Sequence, residues 1–383
     1  VTELERRIHQ ALATTTGDAV PSIGRIESAV RREAPLAAEH VVLGAVGDIR
    51  SRLLGLGPID VLLGDPTVSD VLVNGPGPVW VERSGQLEPS SLILDRAEVD
   101  LLVERIVAPV GRRADPVHPI ADARLVDGSR AHIVVPPLAV DGPYVSIRRF
   151  GVRDLGLEDL ADPAVARLLA ARVRDRANIV VSGGTGSGKT TLLNALAAHV
   201  HGGDRIVTVE DAAELRLAAE HVVRLEARPA ALDGAPEVSI RDLVRAALRM
   251  RPDRLIVGEV RGGEVADLLT AMTTGHDGSL TTVHANGAAH ALGRLELLVQ
   301  ASGLELPVEA VRQHLGAAID LVVHVERSPD GRRRVVEVDE PALPAVPAAS
   351  RRLADGDGVV AAPRRRTEGA RGAAGTRPPG ARR

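Results

Sequence analysis

The chain of 383 residues contains no cysteine, and its only aromatic side chains are Trp80, Tyr144 and Phe150. Each absence removes a class of structure or function. Without cysteine there is no disulfide and no cysteine-based zinc site, which fits a reducing compartment. So few aromatics give poor support to base-stacking recognition of single-stranded nucleic acid. The formal net charge of -4 weighs against a protein that coats a polyanion. No run of about 18 apolar residues occurs, so the sequence offers no membrane-spanning helix, and its first residues carry no signal-peptide core. What is present is 44% apolar residues, an ordinary globular share whose cores must be built from Leu, Val, Ile and Ala. The length leaves room for two domains plus extensions.

Lysine is also nearly absent: Lys189 is the only one, and every other residue of its class is arginine. It lies in Gly183-Gly184-Thr185-Gly186-Ser187-Gly188-Lys189-Thr190, which fits the phosphate-binding pattern G-x-x-x-x-G-K-[ST]. A short apolar run, 177–182, precedes the motif, and an apolar helical pattern follows from Thr191. This is the strand–loop–helix setting the motif needs, with backbone N–H groups and a helix N-terminus facing a phosphate. Lys189 is expected to reach the β and γ phosphates of ATP and the Thr190 hydroxyl to hold Mg²⁺, with Thr191 completing the nucleotide contacts. A planar guanidinium cannot replace a compact ammonium there, which explains the one lysine in an arginine background.

Residues 1–56 read as a helical N-terminal segment, with Leu4, Ile8, Leu12, Ile23, Ile26 and Val30 at helical spacing. Residues 57–150 read as an α+β domain. Its strands are 68–74, 79–83, 121–125, 129–135 and 144–150, and Ser84-Gly85 forms a turn. A helix capped by Asp95 runs to Val107. The late strands carry Arg124, Arg130, Arg148 and Arg149, which either face water or line a phosphate. A linker, 151–156, leads to a third unit, 157–340. There strands 177–182, 204–209, 221–226, 254–258 and 279–283 alternate with helices 190–199, 239–249, 262–273, 287–301 and 307–316. That alternation predicts an α/β domain with a mainly parallel sheet, closed by a hairpin of 319–325 and 333–338. Residues 341–383 hold nine arginines against three acidic residues and read as a disordered basic tail, either solvated or touching anionic lipid or nucleic acid.

A phosphate loop alone indicates only a nucleotide. The strand 254–258 ends at Glu259 and is expected beside the strand feeding the loop, so that Glu259 orients the attacking water. Gly258 stands where many such proteins carry a metal-binding aspartate. Glu210, ending the strand 204–209, is therefore the expected metal carboxylate, ahead of its neighbour Asp211. His284 ends another parallel strand at the ligand-binding edge; it is either structural or a sensor of the γ-phosphate, with His276 as a possible helper.

Four segments together carry a resemblance to the secretion ATPase superfamily of type II and type IV secretion and type IV pilus systems. They are the phosphate loop, Ile206–Leu215, Arg251–Gly263 and Gly275–Asn286. VNGPGPVWVE, DARLVDGSR and SIRRF in the first domain match as well. Within the superfamily the chain looks most like the TadA/CpaF group, including actinobacterial forms associated with conjugal transfer. The lack of cysteine departs from relatives that carry a zinc-binding insertion. The resemblance implies a homohexameric ring of subunits, each with an N-terminal sensing domain and a RecA-like motor domain, and with ATP in the cleft between them. It implies nucleotide contacts from Arg124, Arg130, Arg148 and Arg149. It also implies a cytoplasmic ring at the inner face of the cell membrane, working on a polytopic inner-membrane platform protein in secretion or Tad/Flp pilus assembly. A DNA-transfer or helicase-like motor is the alternative, since the phosphate chemistry is the same.

Overall fold

A computed structural model of the chain describes residues 22–83, 85–149, 155–228, 236–328, 330–341 and 350–361. Expectations for residues 1–21, most of the linker (151–154) and residues 362–383 lie outside this set. The chain divides into two compact units, Val1–Val152 and Arg153–Arg383.

The first unit opens with helices Ile23–Glu33 and Glu39–Leu54. They enclose a small core of their own from Ile26, Ala29, Val30, Val42, Val46 and Ile49. A six-stranded sheet follows: β1 (Val68–Asn74), β2 (Gly77–Arg83), β3 (Gln86–Leu94), β4 (Ile120–Arg124), β5 (Arg130–Val134) and β6 (Tyr144–Arg148). Its order is β3-β2-β1-β6-β5-β4, and all its pairs are antiparallel. Val71, Val73, Val79, Val81, Ile133, Val145 and Ile147 form one buried face, as alternation on a half-buried strand requires. The helix Arg96–Val107 covers that face through Val99, Leu102, Val103 and Ile106. Asp95 and Glu98 close a reciprocal capping box at its start, which satisfies two orphan N–H groups. The sequence reading has no strand at β3. That strand lies at the sheet edge with mostly exposed polar residues and Pro89, so it lacks the apolar alternation that reveals a strand.

In the second unit the strands are β7 (Ile179–Gly183), β8 (Ile206–Glu210), β9 (Val222–Glu226), β10 (Arg254–Val257), β11 (Leu280–His284), β12 (Leu321–Arg327), β13 (Arg333–Pro341), β14 (Ser350–Asp355) and β15 (Gly358–Val359). They form one sheet in the order β15-β14-β13-β12-β7-β11-β10-β8-β9. The pairs from β12 through β9 are parallel; β13, β14 and β15 add antiparallel. Successive residues of the central strands enter different cores. Ile179 and Val181 face the helices Pro163–Arg174 and Lys189–Ala197. Val180, Val207 and Val257 face Ile240–Leu248, Glu264–Thr273, Ala288–Ala301 and Val308–Ala318. Burial on both faces is why these strands read as continuous apolar runs.

Two expectations are corrected here. The strand ending before Glu259 does not lie beside the one feeding the phosphate loop, because β11 separates β10 from β7. The segment read as a disordered tail from 341 contributes β14 and β15 to the sheet. Leu353 and Ala354 are wholly buried in the larger core, Ser350 donates to Asp339 at 2.6 Å, and Arg352 pairs with Asp339 and Glu337. The basic, Pro- and Gly-rich composition hides this, since one buried leucine and an open edge on β13 suffice to recruit a short strand.

Candidate functional site

β7 ends at Gly183, and the helix Lys189–Ala197 begins as soon as the loop closes. Gly188, the residue before the helix, has φ 100°, a left-handed conformation that glycine tolerates. A Cβ there would also lie 2.5 Å from Cδ of Arg333, so the turn is closed from above by that arginine. The Arg333 guanidinium donates to Thr191 Oγ1 at 2.8 Å.

Lys189 is buried and donates to the Gly183 carbonyl at 3.0 Å and the Gly184 carbonyl at 2.8 Å. Its Nζ lies 3.2 Å from His284 Nε2. The parallel register sets Gly183 directly opposite His284. Because β11 lies between β7 and β10, His284 stands between Lys189 and the acid that follows β10. Glu259 Oε1 is 3.3 Å from His284 Nε2, and the other Glu259 oxygen accepts from Arg261 at 2.8 Å. Burial lowers the His284 pKa from its ordinary value, and the Lys189 ammonium lowers it further against the opposing pull of Glu259. The imidazole is therefore neutral at neutral pH, able to accept from Lys189 through Nε2.

His276 does not join this group. It precedes β11, whereas His284 ends it, so the strand itself separates them by about 13 Å at about 3.3 Å per residue. His276 Nδ1 is buried ahead of the start of β11.

Glu210, the expected metal carboxylate, and Glu214 occupy different positions beside the loop. Glu210 is almost fully buried. Its Oε1 accepts from the backbone N–H groups of Glu214 and Leu215, each at 2.8 Å. Desolvation raises its pKa above the ordinary glutamate value in spite of those bonds. Thr190 Oγ1 is nearest a different carboxylate, Glu214 Oε2, at 3.5 Å. A Cβ on Gly258 would meet Glu210 Cγ at 2.9 Å. Glu210 thus fills the space over residue 258 that an aspartate would need. The spacing Glu210-x-x-x-Glu214 is the signal for Glu214 in the sequence, but only the turn after β8 shows that the first acid braces the second.

A divalent cation fits this donor set. Thr190 offers a hydroxyl at the loop, Glu214 a carboxylate beside it, and Glu210 Oε2 is a buried oxygen with no hydrogen-bond partner.

In the first unit, antiparallel register places Arg124 opposite Arg130, Arg130 opposite Arg148, and Arg148 opposite Asp70. Cross-strand partners share a face, so three arginines form a row. Arg149 follows that strand, and its guanidinium donates to the backbone carbonyls of Asp65 and Val68. Of the adjacent pair, Arg148 belongs to the row and Arg149 braces the loop before β1.

A family model described as type II/IV secretion system protein matches residues 52–360. A putative conjugal transfer protein of Mycobacterium tuberculosis is 42% identical over 309 residues, covering 78% of this chain and 87% of the relative. Conjugal transfer protein TrbB of Rhizobium radiobacter is 38% identical over 282 residues, covering 71% and 84%. Among solved structures, the pilus retraction motor PilT with bound ADP aligns at TM-score 0.57 and 22% identity, covering 74% of this chain and 82% of that one. At that identity the likeness speaks for the fold alone, a RecA-like architecture.

Proposed function

The chain belongs to the type II/IV secretion system protein family, and on that premise we propose that it is an ATP-hydrolysing motor. One observation carries the reading. Lys189 Nζ, His284 Nε2 and the Glu259 carboxylate form a chain with steps of 3.2 and 3.3 Å at the mouth of the phosphate loop. In this reading Lys189 bears on the terminal phosphates. Glu259, held by Arg261, orients the water that attacks the γ-phosphorus. His284, whose Nε2 accepts from Lys189 and so carries no proton for Glu259, lies between the two and registers whether the terminal phosphate is present. Thr190 and Glu214 would hold Mg²⁺, with Glu210 fixing the turn that presents Glu214. Bound with the nucleotide, the metal supplies neutralisation of charge on the β and γ oxygens.

The row Arg124, Arg130 and Arg148 supports an anion-binding role for the first unit. Asp70 faces Arg148 at the end of that row, and a nucleotide phosphate adds charge-assisted hydrogen-bond acceptors for the guanidinium groups. Arg148 takes the charge-stabilising role, with Arg130 next to it, and Arg149 a structural one. In the same proposal the chain assembles as a homohexamer at the cytoplasmic face of the membrane, against a polytopic platform protein, and drives secretion or Tad/Flp pilus assembly. No helix among the described residues is long and apolar enough to cross a membrane.

A second reading, DNA transfer, is favoured by the conjugal-transfer names of the relatives. Phosphate release from ATP by the full chain, with and without single- and double-stranded DNA, tests both. Turnover abolished in Glu259→Gln supports the motor, and several-fold stimulation by DNA moves the reading to DNA transfer. Absence of turnover in the wild type refutes both.

A further inference from the structure

The motor reading uses His284 but nothing beyond it. After His284 the chain passes through Ala285 and Asn286 into the helix Ala288–Ala301. Gly184, His284, Ala285, Asn286, His290 and Arg294 line a single cavity of ≈ 300 Å³ that opens to solvent. One wall is the phosphate loop itself, at Gly184. The Lys189 ammonium sits 2.8 Å from the Gly184 carbonyl, and in loops of this pattern the lysine marks the β/γ end of the nucleotide.

The chemistry of the lining is one-sided. No carboxylate contributes to it. Arg294 is exposed and has no hydrogen bond or ion pair among the described residues. His290 stands one helical turn earlier on the same face. The helix that carries both is fixed at its start, where Glu337 accepts from the Ala288 N–H at 2.9 Å. Arg294 is also among the cations that hold the His284 pKa down, so its field reaches the mouth of the loop.

We propose that this cavity is the subsite that receives inorganic phosphate after cleavage, with Arg294 as its anion-binding residue and Asn286 and His290 as donors at its rim. The proposal rests on the hydrolysis reading above. Cleavage forms a bond from the water oxygen to the γ-phosphorus and breaks the bond from that phosphorus to the β–γ bridging oxygen. The products are ADP, which keeps the bridging oxygen and its electron pair, and orthophosphate, which takes the water oxygen and gives one proton up to solvent. Orthophosphate carries more than one negative charge, and the Glu259 carboxylate on one side of His284 repels it. In the cavity Arg294 offers a planar fork suited to two phosphate oxygens. The product is thus drawn away from Glu259, past His284 and toward solvent.

Inorganic phosphate is the probe, titrated as a product inhibitor of steady-state ATP hydrolysis by the full chain. In Arg294→Gln the inhibition constant for phosphate is expected to rise about tenfold, while that for ADP stays within about twofold. Arg294→Lys, which keeps the charge, should recover most of the effect. Phosphate inhibition of Arg294→Gln equal to wild type overturns the proposal. So does an equal loss for ADP, which would mean a structural fault, or a loss confined to ATP, which would place Arg294 on the uncleaved nucleotide. A wild type without turnover refutes the hydrolysis reading instead. The cavity is then judged by calorimetric titration of phosphate into wild type and Arg294→Gln, where equal heats overturn it.

Discussion

Leu353 is the most direct test of how the second unit is closed. It lies in β14, is fully buried, and packs in the same core as Ile179, Leu192 and Val323. Leu→Ala in a core costs about 2–5 kcal/mol, the lost transfer energy plus the cavity left behind. In a unit of this length each kcal/mol shifts the melting temperature by about 2–4 °C. Leu353→Ala should therefore lower the main transition by about 4–20 °C. Truncation after Pro341 removes more. The β13–β14 ladder is lost, and Asp339 loses both Ser350 and Arg352. Glu337, which caps the helix Ala288–Ala301, loses Arg352. That loss is a large part of the 5–15 kcal/mol typical of a whole domain. Truncation after Ala361 keeps β14 and β15 and serves as the control, with a transition within about 2 °C of wild type. Differential scanning calorimetry of the variants reads all of this. A Leu353→Ala shift below about 2 °C would show that β14 is not part of the folded core.

Lys189→Arg should hydrolyse ATP near background while remaining folded; turnover within about tenfold of wild type, about 1.4 kcal/mol in the barrier, contradicts the steric requirement for an ammonium. Glu214→Gln should shift the Mg²⁺ dependence of turnover to higher concentration more than Glu210→Gln does, and the reverse order would return the metal to Glu210. The raised Glu210 pKa means that the folded state holds this proton more tightly than the unfolded chain. Its charge then costs stability above the folded pKa, and that cost disappears as pH falls toward the ordinary glutamate value. Glu210→Gln keeps an acceptor for the Glu214 and Leu215 N–H groups, so its stability relative to wild type should decline as pH falls from neutral toward the ordinary glutamate value; a pH-independent difference rejects the assignment. Arg148→Gln should lose about a hundredfold in hydrolysis, as removal of a charge-stabilising donor typically does, with ADP affinity nearly unchanged. Arg149→Gln should lower the melting temperature instead, and equal kinetic losses in both would dissolve the distinction drawn from the sheet register.

The phosphate loop, the helix cap at Asp95 and the paired strands and helices of the second unit were legible in the sequence because each rests on neighbours in the chain. Glycines at the loop, a side chain reaching three residues ahead and runs buried on both faces all leave local patterns. Glu259 and His284 were legible too, as polar residues ending apolar strands. Only the tertiary structure decided how they meet. Strand order is set by packing across the sheet, so nothing local told that β11 would separate β10 from β7 and put His284 between Lys189 and Glu259. Alternation along a strand showed that Arg148 and Arg149 face opposite ways, but the register with β5 and β1 was needed to say which joins Arg124 and Arg130. The turn after β8 gave Thr190 the neighbour Glu214 and used Glu210 to brace it. β14 was hidden for the same reason. A single leucine in a basic, Pro- and Gly-rich stretch carries no periodic signal, yet the exposed edge of β13 and a gap in the core are enough to hold it.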